Sequence, residues 1–181
     1  RVSYTLSKAI DNTGNYFFST PQDNFNLRDD RGLSDNDQRH RLAVSGWWEA
    51  PRDWEVGYIF SYASAFPFNI QTGTDRNSDS TVNDRPVGVG RNTGVGFNAA
   101  ALNVRLSRAF RLGERWRVQA LVEGFNVLNR VNRQLPNNVA GPALGRATAA
   151  GDPRQVQIGL RISWASEAAE KGDRPVCPHD E

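Results

Sequence analysis

A chain of 181 residues, 38% of them hydrophobic and with a mean hydropathy of −0.60, has the length of one domain. Its 22 basic and 20 acidic side chains leave a net charge of +2 and no dense Lys/Arg patch, which excludes a nucleic-acid binder. The single cysteine, Cys177, excludes an internal disulfide framework, and no run approaches the ~18 consecutive apolar residues of a transmembrane helix. A β-barrel stays open, because its strands need only ~10 residues of alternating character.

Period-two alternation dominates and predicts about six strands. The first covers 2–8, with Val2, Tyr4 and Leu6 against Ser3, Thr5 and Ser7. The second covers 39–49, with Leu42, Val44 and Trp48 against Arg41, Ala43 and Ser45. The third, 54–66, sets Trp54, Val56, Tyr58, Phe60 and Tyr62 against Glu55, Gly57, Ser61 and Ala63. The fourth, 101–110, sets Leu102, Val104, Leu106 and Phe110 against Asn103, Arg105 and Ser107. The fifth, 116–126, sets Trp116, Val118, Ala120 and Val122 against Arg117, Gln119 and Glu123, with a bulge expected above Glu123, where Phe125 and Val127 take the polar parity. The sixth, 155–164, sets Val156, Ile158, Leu160, Ile162 and Trp164 against Gln155, Gln157, Arg161 and Ser163.

The connections alternate in length. Those at 50–53 and 111–115 are tight turns, whereas 10–38, 69–100 and 130–153 are long, polar and rich in Gly, Asn and Asp. A compact soluble domain rarely carries three structureless loops longer than about 15 residues. Outer-membrane barrels do, with short periplasmic turns and long extracellular loops. Trp48, Trp54, Phe110, Trp116 and Trp164 all fall at short-turn ends and share the apolar parity, as a membrane-interface belt requires; Trp47 has the other parity. Arg41, Glu55, Arg105, Arg117, Glu123 and Arg161 then face the lumen.

The last strand, Gln157-Ile158-Gly159-Leu160-Arg161-Ile162-Ser163-Trp164, resembles the β-signal read by the barrel-assembly machinery, with Gln157, Gly159, Ile162 and Trp164 at its constrained positions. An exposed strand edge templates pairing with another edge, which suits it to that docking.

The wider chain, from about Tyr4 to Trp164, resembles TonB-dependent receptors, in particular the large family with an N-terminal carboxypeptidase-regulatory-like domain. The resemblance rests on Tyr4-Thr5-Leu6-Ser7-Lys8-Ala9, Arg31-Gly32-Leu33-Ser34-Asp35 with Arg39-His40-Arg41, and Phe66-Pro67-Phe68. It rests also on Thr72-Gly73-Thr74-Asp75-Arg76-Asn77, Asn83-Asp84-Arg85-Pro86, Glu123-Gly124-Phe125-Asn126-Val127-Leu128-Asn129 and Asp152-Pro153-Arg154-Gln155. It implies a barrel of about 22 strands around a plug. It also implies energy drawn from the TonB complex through a region preceding these strands. The expectation is therefore the C-terminal part of an all-β, antiparallel, up-and-down transmembrane barrel at 1–164, with most of the protein upstream of Arg1. Family members stop at the terminal aromatic; here a polar tail follows at 165–181, expected to be disordered.

Asp75, Asn77, Asp79, Thr81 and Asp84 place oxygens at spacings like the start of a calcium loop, with Asn83 a further candidate. Ser80 stands where Gly makes that turn, no bidentate Glu follows, and Asn/Asp-rich loops more often form solvated turns. No other cofactor is implied. His40 and His179 lack a second ligand at metal spacing, and no catalytic cluster is visible, so an enzyme is not expected. The expected partners are outer-membrane lipid, the assembly machinery, the TonB complex and an extracellular ligand the sequence does not identify. The competing readings are an adhesin or surface-structural barrel without energised transport, a small barrel enzyme, and a soluble β-sandwich.

Overall fold

The computed structural model describes residues 1–12, 21–113 and 115–164, and the expected tail at 165–181 lies outside them. Six strands form one antiparallel sheet: β1 (Val2–Leu6), β4 (His40–Ala50), β5 (Trp54–Ala63), β8 (Ala99–Leu112), β9 (Trp116–Phe125) and β12 (Gln155–Trp164), in that spatial order. Sequence order and sheet order agree, so the sheet is an up-and-down meander. Strands of ten to fourteen residues rise ~3.3 Å per residue and, tilted as barrel strands are, span roughly the 25 Å apolar band of an outer membrane.

The register fixes which residues share a face. Val2 opposes Val44, Trp48 opposes Val56, Trp54 opposes Arg108, Phe110 opposes Val118 and Trp164 opposes Trp116. Every such pair joins even to even or odd to odd, so even-numbered residues of all six strands line one face and odd-numbered residues the other. The even face is apolar; the odd face carries the charges. Among the described residues nothing packs on the apolar face. Val2, Leu6, Ile158 and Leu160 are 64–80% exposed, and among the described residues the only buried apolar side chains are Ala100 and Ala109. A sandwich needs a second sheet over that face. No second sheet covers it among the described residues.

The two tight turns have local causes. Arg52 and Asp53 both adopt left-handed φ (67° and 59°) between the paired Ala50 and Trp54, giving the twist that suits a hairpin. Gly113 supplies φ 67° immediately after the Leu112–Trp116 pair, where a side chain would be strained.

Three expectations change. Strand β5 stops at Ala63 and Pro67–Phe68 becomes β6, pairing with β7 (Gly94–Val95). Strand β8 begins earlier, at Ala99, because an alanine run carries no alternation yet pairs with Tyr62 and Ala63. The bulge expected above Glu123 is absent from the ladder to β12 and falls on the β8 side instead, where Leu102 O accepts the amide of Val127, one residue beyond the in-register partner Asn126. The ladder to β12 runs unbroken to Phe125–Gln155, and Asn126, with a φ of 47°, ends the strand. The long connections are not structureless either. Besides β6–β7 they contain the hairpins β2 (Ile10–Asp11) with β3 (Gly32–Leu33), and β10 (Arg133–Pro136) with β11 (Ala147–Ala150).

Candidate functional site

The short-turn rim gathers the aromatic residues. Trp48, Trp54, Phe110, Trp116 and Trp164 all lie on the even face, and Trp116 and Trp164 are direct cross-strand partners with ring centroids 5.9 Å apart, tilted by 44°. Edge-on contacts of this kind add to the apolar area of the rings. Trp47 lies on the odd face, opposite Gly57. Two polar side chains that alternation alone did not single out also occupy the even face. His40, at the long-loop end, accepts or donates a hydrogen bond with the Tyr4 hydroxyl at 2.8 Å and stacks on its ring. Arg108, at the short-turn end, sets its guanidinium 5.2 Å from the Trp54 ring centroid and 4.9 Å from that of Phe110. The signal for Arg108 was in the sequence: it falls between Leu106 and Phe110 in the apolar register.

On the odd face stand all six expected charges, Arg41, Glu55, Arg105, Arg117, Glu123 and Arg161. Arg105 and Glu123 are brought together as a cross-strand pair, 3.3 Å apart. Among the described residues Glu55 forms no ion pair. Its Oε2 instead accepts hydrogen bonds from Ser107 Oγ at 2.9 Å and Gln119 Nε2 at 3.1 Å. Ser107 is buried beneath this network, a role its residue type did not announce. Arg41, Arg117 and Arg161 make no ion pair among the described residues. Arg117, Arg161, Arg105, Glu55, Gln119 and Trp47 line a groove of about 420 Å³.

The third region is the long-loop layer, where polar residues are the most deeply buried in the molecule. Arg85 donates through Nη1 to Asp30 Oδ1 at 2.6 Å and through Nη2 to the Asp29 carbonyl at 3.0 Å; both Arg85 and Asp30 are buried. Asp30 Oδ2 also accepts the Gln22 amide at 2.9 Å. Arg91 pairs with Asp11 and lies 3.5 Å from Asp35, while Asn92 Nδ2 donates to Leu33 O and Asp35 Oδ1. These bonds tie the first long connection to the second. Gln71 ties the second to the third, its amide donating to Asn138 O and its carbonyl accepting from Ala140 N, both at 2.8 Å. Asn126 then closes the third connection on itself, donating to Arg130 O and Asp152 O.

The 75–84 segment uses its oxygens for its own backbone. Asp75 accepts the amides of Ser78, Asp79 and Ser80, Asp79 accepts the amide and hydroxyl of Thr81, and Asp84 Oδ2 accepts the amides of Arg76 and Asn77. Thr81, chiefly through its hydroxyl and then its amide, holds the Asp79 carboxyl below its ordinary value. Ser78 and Ser80 take left-handed φ, as tight Asx turns demand. Among the described residues no group of three or more His, Cys, Asp or Glu is placed to hold a metal ion. Asp75, Asn77, Asp79, Thr81 and Asp84 are thus all engaged in the hydrogen bonds of this turn. Beside it, Gln22, Arg76, Asn77, Asp84 and Arg85 line a polar cleft of about 540 Å³ between the first two connections.

A family model described as "Outer membrane beta barrel domain" matches residues 1–90 and 87–157. No curated protein and no solved structure gives a significant match.

Proposed function

Because this chain belongs to the outer membrane beta barrel domain family, and so to the cell outer membrane, we propose that it forms the C-terminal barrel segment of a TonB-dependent receptor for energised uptake of an extracellular ligand. The observation that carries the reading is the loop layer. Three long connections, cross-linked by buried pairs such as Arg85–Asp30, form a fixed platform above a charged sheet face. Ordering such a platform in advance lowers the entropy cost of capturing a ligand. The motifs around 72–77, 83–86 and 123–129, which prompted the resemblance to these receptors, fall in or beside that platform.

In this reading the even face meets lipid, its aromatic rim sits at the periplasmic interface, and the odd face lines the channel. Arg105–Glu123 and the Glu55–Ser107–Gln119 network keep the charges on that face satisfied in a watery lumen. Strand β12 ends the sheet order among the described residues, and its edge away from β9 suits strand addition by the assembly machinery through Gln157, Gly159, Ile162 and Trp164.

The test is the open reading frame upstream of Arg1 combined with a pull-down of the native protein on the periplasmic domain of TonB. A plug-encoding region and saturable retention support energised import. A signal peptide immediately before Arg1, or no retention, overturns it and leaves an adhesin or surface-structural barrel.

A further inference from the structure

Arg108 is a cation on the wrong face. It sits in the file Leu102, Val104, Leu106, Arg108, Phe110, which faces away from every carboxylate of the sheet: Glu49, Glu55 and Glu123 are odd-numbered and lie on the opposite side. Asp53, in the adjoining turn, forms no ion pair with it among the described residues. The Arg108 Nε is buried with no hydrogen-bond partner. Its guanidinium lies against two rings, Trp54 and Phe110, and its second cross-strand neighbour is Ala120, the smallest side chain in the file Trp116, Val118, Ala120, Val122. Stacking spreads the charge over ring faces but uses none of the in-plane N–H donors, which match a phosphate bidentately. Trp54 is the first strand residue after the β4–β5 turn, so the site lies at the rim, at headgroup depth.

We infer that Arg108, framed by Trp54, Phe110 and Ala120, is a binding site for the phosphate of an anionic phospholipid headgroup from the surrounding leaflet. Ala120, exposed opposite Arg108, puts only a methyl group beside the guanidinium, and the rings hold the guanidinium in place. The site requires only the membrane location and is independent of the import reading.

The experiment reconstitutes the native protein into phosphatidylcholine vesicles containing a minority of phosphatidylglycerol. Tryptophan quenching by the dibrominated form of each lipid is compared. The native protein is expected to prefer phosphatidylglycerol by about fivefold, the ratio that ~1 kcal/mol per arginine at an anionic surface corresponds to. Excess inorganic phosphate in solution leaves that preference unchanged if the occupant is lipid, and abolishes it if the site takes free phosphate, which overturns the proposal. Arg108→Gln is expected to bring the preference to one, and Arg108→Lys to retain part of it. Ala120→Leu, which keeps the face apolar and fills the space, is expected to abolish it even if the Arg108→Gln variant fails to fold. A native protein without preference, or an Arg108→Gln or Ala120→Leu variant that keeps it, overturns the proposal.

Discussion

Replacing Arg85 by Met tests whether the loop layer is held by its buried polar bonds. Arg85 and Asp30 are each almost fully buried and their charged atoms are 2.6 Å apart. Removing the guanidinium leaves Asp30 Oδ1 without a partner and the Asp29 carbonyl without a donor, while Asp30 Oδ2 keeps the Gln22 amide. Breaking a buried pair from one side costs about 3–5 kcal/mol, and the surviving amide puts this case at the lower end, about 3 kcal/mol. That cost falls on local opening of the platform, so amide exchange in 21–35 and 76–92 should accelerate by roughly 10²-fold. Exchange in β4, β5, β8 and β9 should not change, since their ladders do not pass through Arg85. Removing the charge as well, in Arg85→Met with Asp30→Leu, should recover most of the loss, because an apolar pair leaves no stranded carboxylate. Hydrogen exchange followed by mass spectrometry on the membrane-reconstituted protein reads all three. Loop exchange in Arg85→Met within about threefold of the native rate would refute the idea that this pair fastens the platform.

Three other outcomes follow from the geometry. In the Trp116–Trp164 pair, a double-mutant cycle to Ala on stability in lipid should show coupling of about 1 kcal/mol, and additive losses would mean that the 5.9 Å contact is incidental. Glu55→Leu strands the Ser107 hydroxyl and leaves Gln119 Nε2 only its bond to Ser107 Oγ, and should cost about 1–3 kcal/mol in denaturant unfolding, whereas Glu55→Gln keeps an acceptor and should cost less; equal losses contradict the network. Thr81→Val removes the largest cause of the lowered Asp79 pKa and should move it up toward 3.8, read by carboxyl NMR titration. Since the folded value is depressed, the contribution of Asp79 is present above the unfolded pKa and is lost as pH falls through the folded one, below the ordinary carboxylate range. An unshifted titration in Thr81→Val would remove the hydroxyl as the cause.

The six strands were legible because each side chain in such a sheet meets one of two different environments, and period two is the imprint of that choice. The short-turn aromatics and the six charges fell on their predicted faces for the same reason. Arg108 interrupts the alternation once, and a single exception inside an apolar file carries no period; the pairing of His40 with Tyr4 spans 36 positions and leaves no local trace. Ala99 and Ala100 were read as loop because alanine suits either face. The loop layer had no local signature at all. Arg85 meets Asp30 across 55 positions and Arg91 meets Asp11 across 80, and such pairings leave no mark on neighbouring residues. The 75–84 segment shows the opposite hazard. The oxygen spacing that suggests an ion is also what makes successive Asx turns, and in this segment the oxygens accept backbone amides.

Burial in this molecule is distributed in reverse of a soluble domain. Val, Leu, Ile and Trp side chains of the strands are exposed or half-buried, while Asp30, Asp84, Arg85, Arg91 and Asn92 are buried in the connections. In water alone that arrangement would be unstable, because the hydrophobic effect that drives folding has no surface to close upon. With lipid on the even face the accounts change sign. The exposed side chains gain their apolar surroundings, and the sheet meets the bilayer's demand that backbone polar groups be paired internally everywhere except at its two edges. The loops cannot use that source of stability, since they stand in water and carry few apolar residues. Buried ion pairs and side-chain-to-backbone bonds are what remains to fix them. The split follows from the two solvents: hydrophobic contact with lipid specifies the strands, and long-range polar bonding specifies the surface presented to the outside.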